Sequence, residues 1–218
     1  LGKLLRTYGN DEQKDYYLPR VARGEESPGF ALTGPSAGSD AGAMHDTGVV
    51  CYGSFEGKDK VLGVRLNWDK RYITLAPVAT LLGLAFKLHD PEHLLSDETD
   101  RGITLALIKR DTEGVEVGRR HFPLNQAFMN GPIRGKDVFI PLDWIIGGTE
   151  CVGKGWGMLM GSLSDGGAIS FPALGTAGGK RGGKFTGSCA RSGKQFPPPH
   201  GVFRGRGTHR ARIWGVGC

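Results

Sequence analysis

Phe30-Ala31-Leu32-Thr33-Gly34-Pro35-Ser36-Ala37-Gly38-Ser39-Asp40-Ala41-Gly42-Ala43 runs from the end of a predicted strand into a polar loop with several glycines. Small residues in such a loop let backbone N–H groups and short hydroxyls approach a phosphate or the edge of a flat ring closely. The alternative is an ordinary turn in which Asp40 bonds only to nearby backbone. From this stretch alone, both interpretations stay open.

Two short helices are predicted upstream of the loop. Leu1 to Tyr8 has apolar residues at helical spacing, and Gly9 follows as a plausible C-cap. Asn10 and Gln13, three residues apart, form a start resembling a capping box for the second helix.

Short strands dominate the chain from Phe30 to Gly147, separated by turns rich in Gly, Pro and Asp. Repeated strands without long helices between them predict an antiparallel barrel or sandwich of about 120 residues, rather than a doubly wound sheet. The predicted strand segments are Gly48–Gly53, Val61–Trp68, Arg71–Leu75, Gly102–Ile108, Val115–Val117 and Asp137–Pro141.

Composition bounds the class of protein. The 218 residues, 39% hydrophobic, are enough for one or two domains with a core. Four cysteines without a C-x-x-C pair, and six histidines without a close pair, indicate neither a metal site nor a disulfide framework. The most apolar run, Ile73 to Phe86, is too short to span a membrane. Because the chain begins with Leu1 rather than Met, we expect a fragment.

The positive net charge of +6 lies in the last third of the chain. Residues 1–150 hold 18 Lys and Arg against 21 Asp and Glu, whereas residues 151–218 hold 10 against 1. The later segment also contains 18 glycines, including Gly178-Gly179 and Gly182-Gly183, and Pro197-Pro198-Pro199. Glycine costs about 1 kcal/mol relative to alanine inside a helix. We therefore expect residues 175–218 to be poorly ordered and poorly able to form helix.

Four motifs in order resemble the acyl-CoA dehydrogenase family, with details closest to the bacterial long-chain enzymes of fatty-acid degradation. The loop above matches A-L-T-x-P-x-A-G-S-D, and Ala41-Gly42-Ala43 and Arg119-Arg120-His121-Phe122-Pro123-Leu124 carry the long-chain resemblance. The other motifs are Tyr8-Gly9 through Gly24-Glu25-Glu26, Lys70-Arg71-Tyr72-Ile73-Thr74 (family K-x-W-I-T) and Asp137-Val138-Phe139-Ile140-Pro141 (family D-V-F-V-P).

The resemblance implies an α+β fold of the acyl-CoA dehydrogenase kind. Residues 1–27 would end an N-terminal helical domain, 28–148 would form the middle β domain, and 149–218 would begin a damaged C-terminal helical domain. FAD would be the cofactor, fatty acyl-CoA the substrate and an electron-transfer flavoprotein the electron acceptor. The intact parent would be a homo-oligomer, cytoplasmic or peripheral at the inner membrane.

Seven residues take flavin-binding roles by motif position. Phe30, Leu32 and Thr33 would contact the isoalloxazine, and Gly38 and Ser39 would line the pyrophosphate, with Ser39 also next to the CoA arm. Tyr72 would replace the usual tryptophan against the flavin, and Thr74 would bond near N5. The alternatives are that Tyr72 is an ordinary cross-strand aromatic and that the threonines are plain strand residues.

No catalytic residue or metal ligand is assigned. The family's catalytic glutamate would lie beyond Cys218, and Ser162, Ser164 and Asp165 offer no glutamate near Leu163. Gly167 and Gly193 stand where the resemblance leads us to expect arginines. We interpret these departures, and the Gly- and Arg-rich end, as sequence error or a degraded gene copy; the alternative is a genuine basic tail.

Three functions remain open at this stage. The first is a fragment of an FAD-dependent acyl-CoA dehydrogenase that is inactive alone. The second is a β module that binds flavin or CoA without catalysis. The third is a basic nucleic-acid-binding protein, which the acidic first 150 residues oppose.

Overall fold

The computed structural model describes residues 1–192. The chain divides into two compact units, Leu1–Met160 and Gly161–Cys218. Residues 193–218, on which the predicted basic tail depends, lie outside the described part. Among the described residues, no helix is long and apolar enough to cross a bilayer.

Two helices open the first unit, as predicted. Helix α1 spans Gly2–Tyr8 and helix α2 spans Asp11–Arg23. The side chain of Asn10 accepts from the Gln13 N–H, and the Gln13 side chain accepts from the Asn10 N–H, so the predicted capping box is present. Gly24 ends α2 in the left-handed conformation, which glycine adopts without steric cost.

A seven-stranded sheet forms the body of this unit. Strand β3 joins two segments predicted as separate strands, and β7 begins earlier than predicted. The strands are β1 Pro28–Ala31, β2 Thr47–Phe55, β3 Lys58–Thr74, β4 Leu81–His89, β5 Asp100–Lys109, β6 Val115–Val117 and β7 Asn130–Pro141. The prediction of an α+β fold with a central β domain is confirmed.

The sheet is mixed, which corrects the expectation of wholly antiparallel pairing. Strand β4, which our list of predicted strands omitted, runs parallel to both β1 and β2 and antiparallel to β5. Its residues from Leu81 to Phe86 are all buried. A strand covered on both faces reads as a continuous apolar run without the alternation that identifies a half-exposed strand.

Alternate residues of β4 enter two different cores. Leu82, Leu84, Phe86 and Leu88 pack in a cluster made mainly by the sheet strands. Leu81 and Ala85 point the other way, into a cluster that also contains residues of α1, α2 and the first turns of the last helix. The sheet therefore carries one core on each face, and the N-terminal helices belong to the second.

Helix α3 spans Gly155–Ser192 and contains both glycine pairs. The expectation that these pairs prevent helix is therefore wrong for residues 175–192. Met158 and Leu159 of the first turns are buried, so packing supplies the costly helix nucleus, and further residues other than Pro172, which has no N–H, each add a backbone hydrogen bond. The prediction, which added up the unfavourable helix propensities of the glycines, therefore underestimated how far the helix extends.

Candidate functional site

The loop between β1 and β2 leaves the sheet at a fixed place. Strand β1 pairs with Leu81–Leu84 of β4, and β2 pairs with Lys87–His89 on the same edge. The two strands therefore act as one interrupted strand, and the loop of residues 32–46 emerges opposite Ala85 and Phe86. This topology brings the sequence-predicted loop to the middle of the sheet rather than to its rim.

A buried ion pair joins the two ends of this loop. Lys70 of β3 is fully buried, and its Nζ contacts the carboxylate of Asp46 and donates to the Leu32 carbonyl at 2.9 Å. Asp46 also accepts the Asp69 N–H through Oδ1 at 3.0 Å. Burial lowers the pKa of Lys70, while the hydrogen bond and the charge of Asp46 act in the opposite direction.

Five of the seven predicted flavin residues line one open cleft of about 290 Å³ between β1 and β3. Leu1, Pro28, Gly29, Ile73 and Leu75 complete its walls. The five are Phe30, Leu32, Thr33, Tyr72 and Thr74. Two motifs about forty residues apart in the sequence therefore meet at one surface. If the two motifs were ordinary strands that resembled the family only by chance, their residues would have no reason to line the same cleft.

Phe30 takes its place in the cleft because it packs over a glycine. Gly83 of β4 lies directly opposite Phe30 in the parallel register, and a Cβ on Gly83 would lie 2.5 Å from Phe30 Cδ2. Only a residue without a side chain leaves this space to the ring.

Tyr72 lies at an irregular point of β3. The pairing of β3 with β7 shifts between Lys70 and Ile73, and Tyr72 has a φ of +56°. This conformation is uncommon for a bulky residue and is often found at functional sites. The Tyr72 side chain is 54% exposed, and its ring lies against that of His121 with centroids 4.6 Å apart.

Unpaired polar atoms surround Tyr72. The Asn130 Nδ2 donates to the Tyr72 carbonyl at 2.9 Å, but the buried Asn130 Oδ1 and His121 Nε2 have no partner within residues 1–192. In the same range, no side-chain hydrogen bond occupies the hydroxyls of Thr33 and Thr74. Buried polar groups are nearly always paired, so the two buried atoms of Asn130 and His121 indicate a place for a polar ligand or water, whereas the threonine hydroxyls are open to solvent or to a ligand.

Gly38 and Ser39, the other two predicted residues, are exposed on the loop and do not line the cleft. A second cavity of about 430 Å³ lies beside this loop and is lined by Gly34, Pro35, Ser36, Ala37, His45, Asp46, Asn67, Trp68, Asp69 and Gly135. The structure thus separates the proposed ring-binding residues from the proposed phosphate-binding residues.

None of the seven predicted residues lines a larger cavity of about 870 Å³. It lies between the β2–β3 hairpin and the loop before β6, and charged groups of both signs line it, including Arg65, Lys109, Glu113 and Asp137. Size alone therefore does not identify the site. No group of three metal-binding side chains occurs within residues 1–192.

Sequence reasoning missed the roles of Lys70, Asp46, His121 and Asn130. A signal existed for Lys70, because Val64, Leu66, Trp68 and Lys70 alternate along β3 and all are buried. A lysine at the next position of this alternation points into the core, where its charge requires a buried acceptor or carboxylate as partner. The identity of that partner depended on the sheet topology.

Comparison with known proteins points to one family. The model of the acyl-CoA dehydrogenase middle domain matches residues 29–138, half of the chain. Protein HemX of Proteus mirabilis is 57% identical over 104 residues, which are 48% of this chain and 61% of that protein. The short-chain-specific acyl-CoA dehydrogenase of Clostridium acetobutylicum is 31% identical over 179 residues, 81% of this chain and 42% of that protein.

Solved structures agree with this similarity. The acyl-CoA dehydrogenase of Geobacillus kaustophilus superposes with a TM-score of 0.76 at 25% identity, covering 97% of this chain and 52% of that chain. The FAD complex of PigA superposes with a TM-score of 0.71 at 27% identity, covering 98% of this chain and 51% of the PigA chain. The chain spans about half the length of the proteins it resembles.

Proposed function

Because the chain belongs to the acyl-CoA dehydrogenase family, we propose that it is the flavin-binding part of an FAD-dependent enzyme that oxidises acyl-CoA. The observation that carries this proposal is the shared cleft of Phe30, Leu32, Thr33, Tyr72 and Thr74. A similar chain, PigA, has been solved with FAD bound, which supports the choice of cofactor.

The groups present in the cleft suit a flavin. Phe30 and Tyr72 supply apolar ring surface, and the Thr33 and Thr74 hydroxyls supply hydrogen bonds for a heteroaromatic edge. When bound, FAD supplies the redox chemistry of the family reaction, conversion of acyl-CoA to the trans-2-enoyl-CoA. The threonines would orient the ring system, and Tyr72 would cover part of it from water.

Gly38 and Ser39 are proposed to bind the pyrophosphate, and Ser39 also the CoA arm. Their exposure on the loop leaves backbone N–H groups and a hydroxyl accessible to an anion. We propose no catalytic base among residues 1–192, and the division at residues 27 and 148 into helical, β and helical domains also remains a proposal.

The finer assignments are proposals as well. A fatty acyl-CoA substrate, long-chain preference and a place in β-oxidation follow from the motif resemblance. The relatives do not single out long chains, since the Clostridium protein is named for short ones. An electron-transfer flavoprotein acceptor, a homo-oligomeric parent and a cytoplasmic or inner-membrane-peripheral location are likewise proposed from the family.

Anaerobic flavin spectroscopy tests the proposal. The chain is titrated with FAD and then mixed with acyl-CoAs of four to eighteen carbons. We expect saturable binding without bleaching, because the residues that line the cleft include no glutamate to act as base. Absence of FAD binding would contradict the proposal. In a version of the chain extended to the length of its relatives, failure of every acyl-CoA to bleach the flavin would contradict the activity and favour a non-catalytic module.

A further inference from the structure

One ammonium group connects three parts of the cleft's supporting structure. Lys70 Nζ contacts the carboxylate of Asp46 at the end of the loop and the Leu32 carbonyl at its beginning. The next residue, Arg71, donates its backbone N–H to the Thr33 carbonyl at 2.9 Å. Consecutive residues of β3 therefore hold consecutive carbonyls of the cleft wall.

Asp46 also makes three interactions. Its Oδ2 pairs with Lys70, its Oδ1 accepts the Asp69 N–H, and its carbonyl accepts the Lys87 N–H at 2.9 Å. Each end of the thirteen-residue excursion from 33 to 45 is thus fixed to a strand of the sheet. The residues between them include Gly38 and Ser39.

Stability alone is a poor explanation for this pair. Desolvation makes buried ion pairs costly, and apolar residues of similar volume often replace them with no loss of stability. The Lys70–Asp46 pair also holds the backbone at Leu32 and at Asp69 in place through hydrogen bonds. Apolar side chains could not do this, because the Leu32 carbonyl would lose its donor.

We propose that Lys70 and Asp46 are positioning residues that set the spacing of Leu32 and Thr33 from β3, and with it the affinity of the cleft for flavin. This inference rests on the proposed function. Neither Lys70 nor Asp46 lines the cleft itself, and the pair acts through the carbonyl of the lining residue Leu32 and through the loop ends.

The test replaces the pair by apolar residues, Lys70→Met with Asp46→Leu, in the full chain. Three quantities are measured: the urea midpoint, amide exchange across residues 33–45 and the Kd for FAD. We expect a modestly lower midpoint, because the Leu32 carbonyl and the Asp69 N–H lose their partners, with at least about tenfold faster exchange across the loop and at least about tenfold weaker FAD binding.

A matched control changes an exposed ion pair between β3 and β7. Arg134→Met removes the partner of Asp69, which is about half exposed, and should leave all three quantities unchanged. If the apolar double variant fails to fold, Asp46→Asn, which keeps an acceptor for the Asp69 N–H, takes its place with the same expected changes in exchange and affinity.

The two proposals fail in different ways. Unchanged exchange across residues 33–45 in a folded variant would overturn the positioning role, whatever happens to FAD. Faster exchange with an unchanged Kd would also overturn it, because the pair would then be structural only. Lack of FAD binding by the unchanged chain would instead contradict the proposed function.

Discussion

The ring of Tyr72 lies against the ring of His121, with centroids 4.6 Å apart and planes inclined by 37°. Tyr72 belongs to the β3 motif, whereas His121 precedes β7. The backbone N–H of His121 donates to the Asn130 carbonyl at 2.8 Å. The contact holds an exposed aromatic ring at the mouth of the cleft, where it would otherwise sample several rotamers.

Tyr72→Ala should weaken FAD binding about tenfold, since an aromatic contact contributes roughly 0.5–1.5 kcal/mol beyond its buried area. Tyr72→Phe should bind nearly as well as the unchanged chain. Because the ring is half exposed, neither change should shift the urea midpoint greatly. Equal FAD affinity for the alanine and phenylalanine variants would exclude a role for the ring.

His121→Ala should weaken FAD binding by about threefold, because Tyr72 loses the ring that restrains it. Phe122→Ala is the matched control: its ring is exposed and it contacts Arg120 rather than Tyr72. Fluorescence titration with FAD compares the two variants. A larger loss in the Phe122 variant would contradict the role assigned to His121.

Thr33→Val and Thr74→Val should each weaken FAD binding about five- to tenfold, through loss of one hydrogen bond to the ligand. Valine keeps the β-branched shape, so the free energy of unfolding should change by less than about 0.5 kcal/mol. Thr47→Val, at the start of β2 and outside the cleft lining, serves as control. Isothermal titration measures all three, and a control as weak as the test variants would contradict the assignment.

Gln13→Ala should lower the free energy of unfolding by about 2–4 kcal/mol. The buried Gln13 amide donates to the Asp143 and Ile145 carbonyls at 2.9 and 2.7 Å and accepts the Gly147 N–H at 3.0 Å. It therefore fastens helix α2 to the segment after β7. Urea unfolding measures the loss, and exposed Glu12→Ala should have almost no effect.

Asp90 should make stability depend on acid pH. Burial acts to raise the pKa of this carboxyl, but the backbone N–H groups of Leu95, Leu94 and Ser96, together with the charge of His93, outweigh burial and lower the pKa below its ordinary value. A lowered folded-state pKa gives stability that is complete above the ordinary carboxyl pKa and is lost as pH falls through the folded pKa.

Asp90→Asn provides the comparison for this effect. The stability difference between the unchanged chain and the variant should be constant near neutral pH and should shrink as the pH falls below the ordinary pKa of aspartate, 3.8. Urea midpoints measured from neutral to about pH 3 check it. A difference that grew in acid would contradict the hydrogen-bonding account.

Local signals in the sequence were sufficient for the two N-terminal helices and for the two motifs whose residues the structure brings together in one cleft. The capping box of Asn10 and Gln13 depends on residues three apart, and Thr33 and Thr74 each lie in a contiguous motif. Local chemistry of this kind is visible in a one-dimensional pattern.

Features that depend on topology were not visible. Strand β4 is buried on both faces and lacks alternation. The Lys70–Asp46 pair required knowledge that β3 passes beside both ends of the loop, and the positive φ of Tyr72 follows from a shift in the pairing of β3 with β7. The prediction missed the length of α3 because it gave more weight to the glycine content than to the first helical turns, which the buried Met158 and Leu159 stabilise.

The most direct test of the central claim is to map FAD binding onto the chain by amide exchange. The account predicts saturable binding, with exchange slowed in residues 30–39 and 72–75 and unchanged beside Lys109 and Trp144 in the cavity of about 870 Å³. Absence of saturation at millimolar FAD, or protection confined to that other cavity, would contradict the claim that the cleft between β1 and β3 is the flavin site.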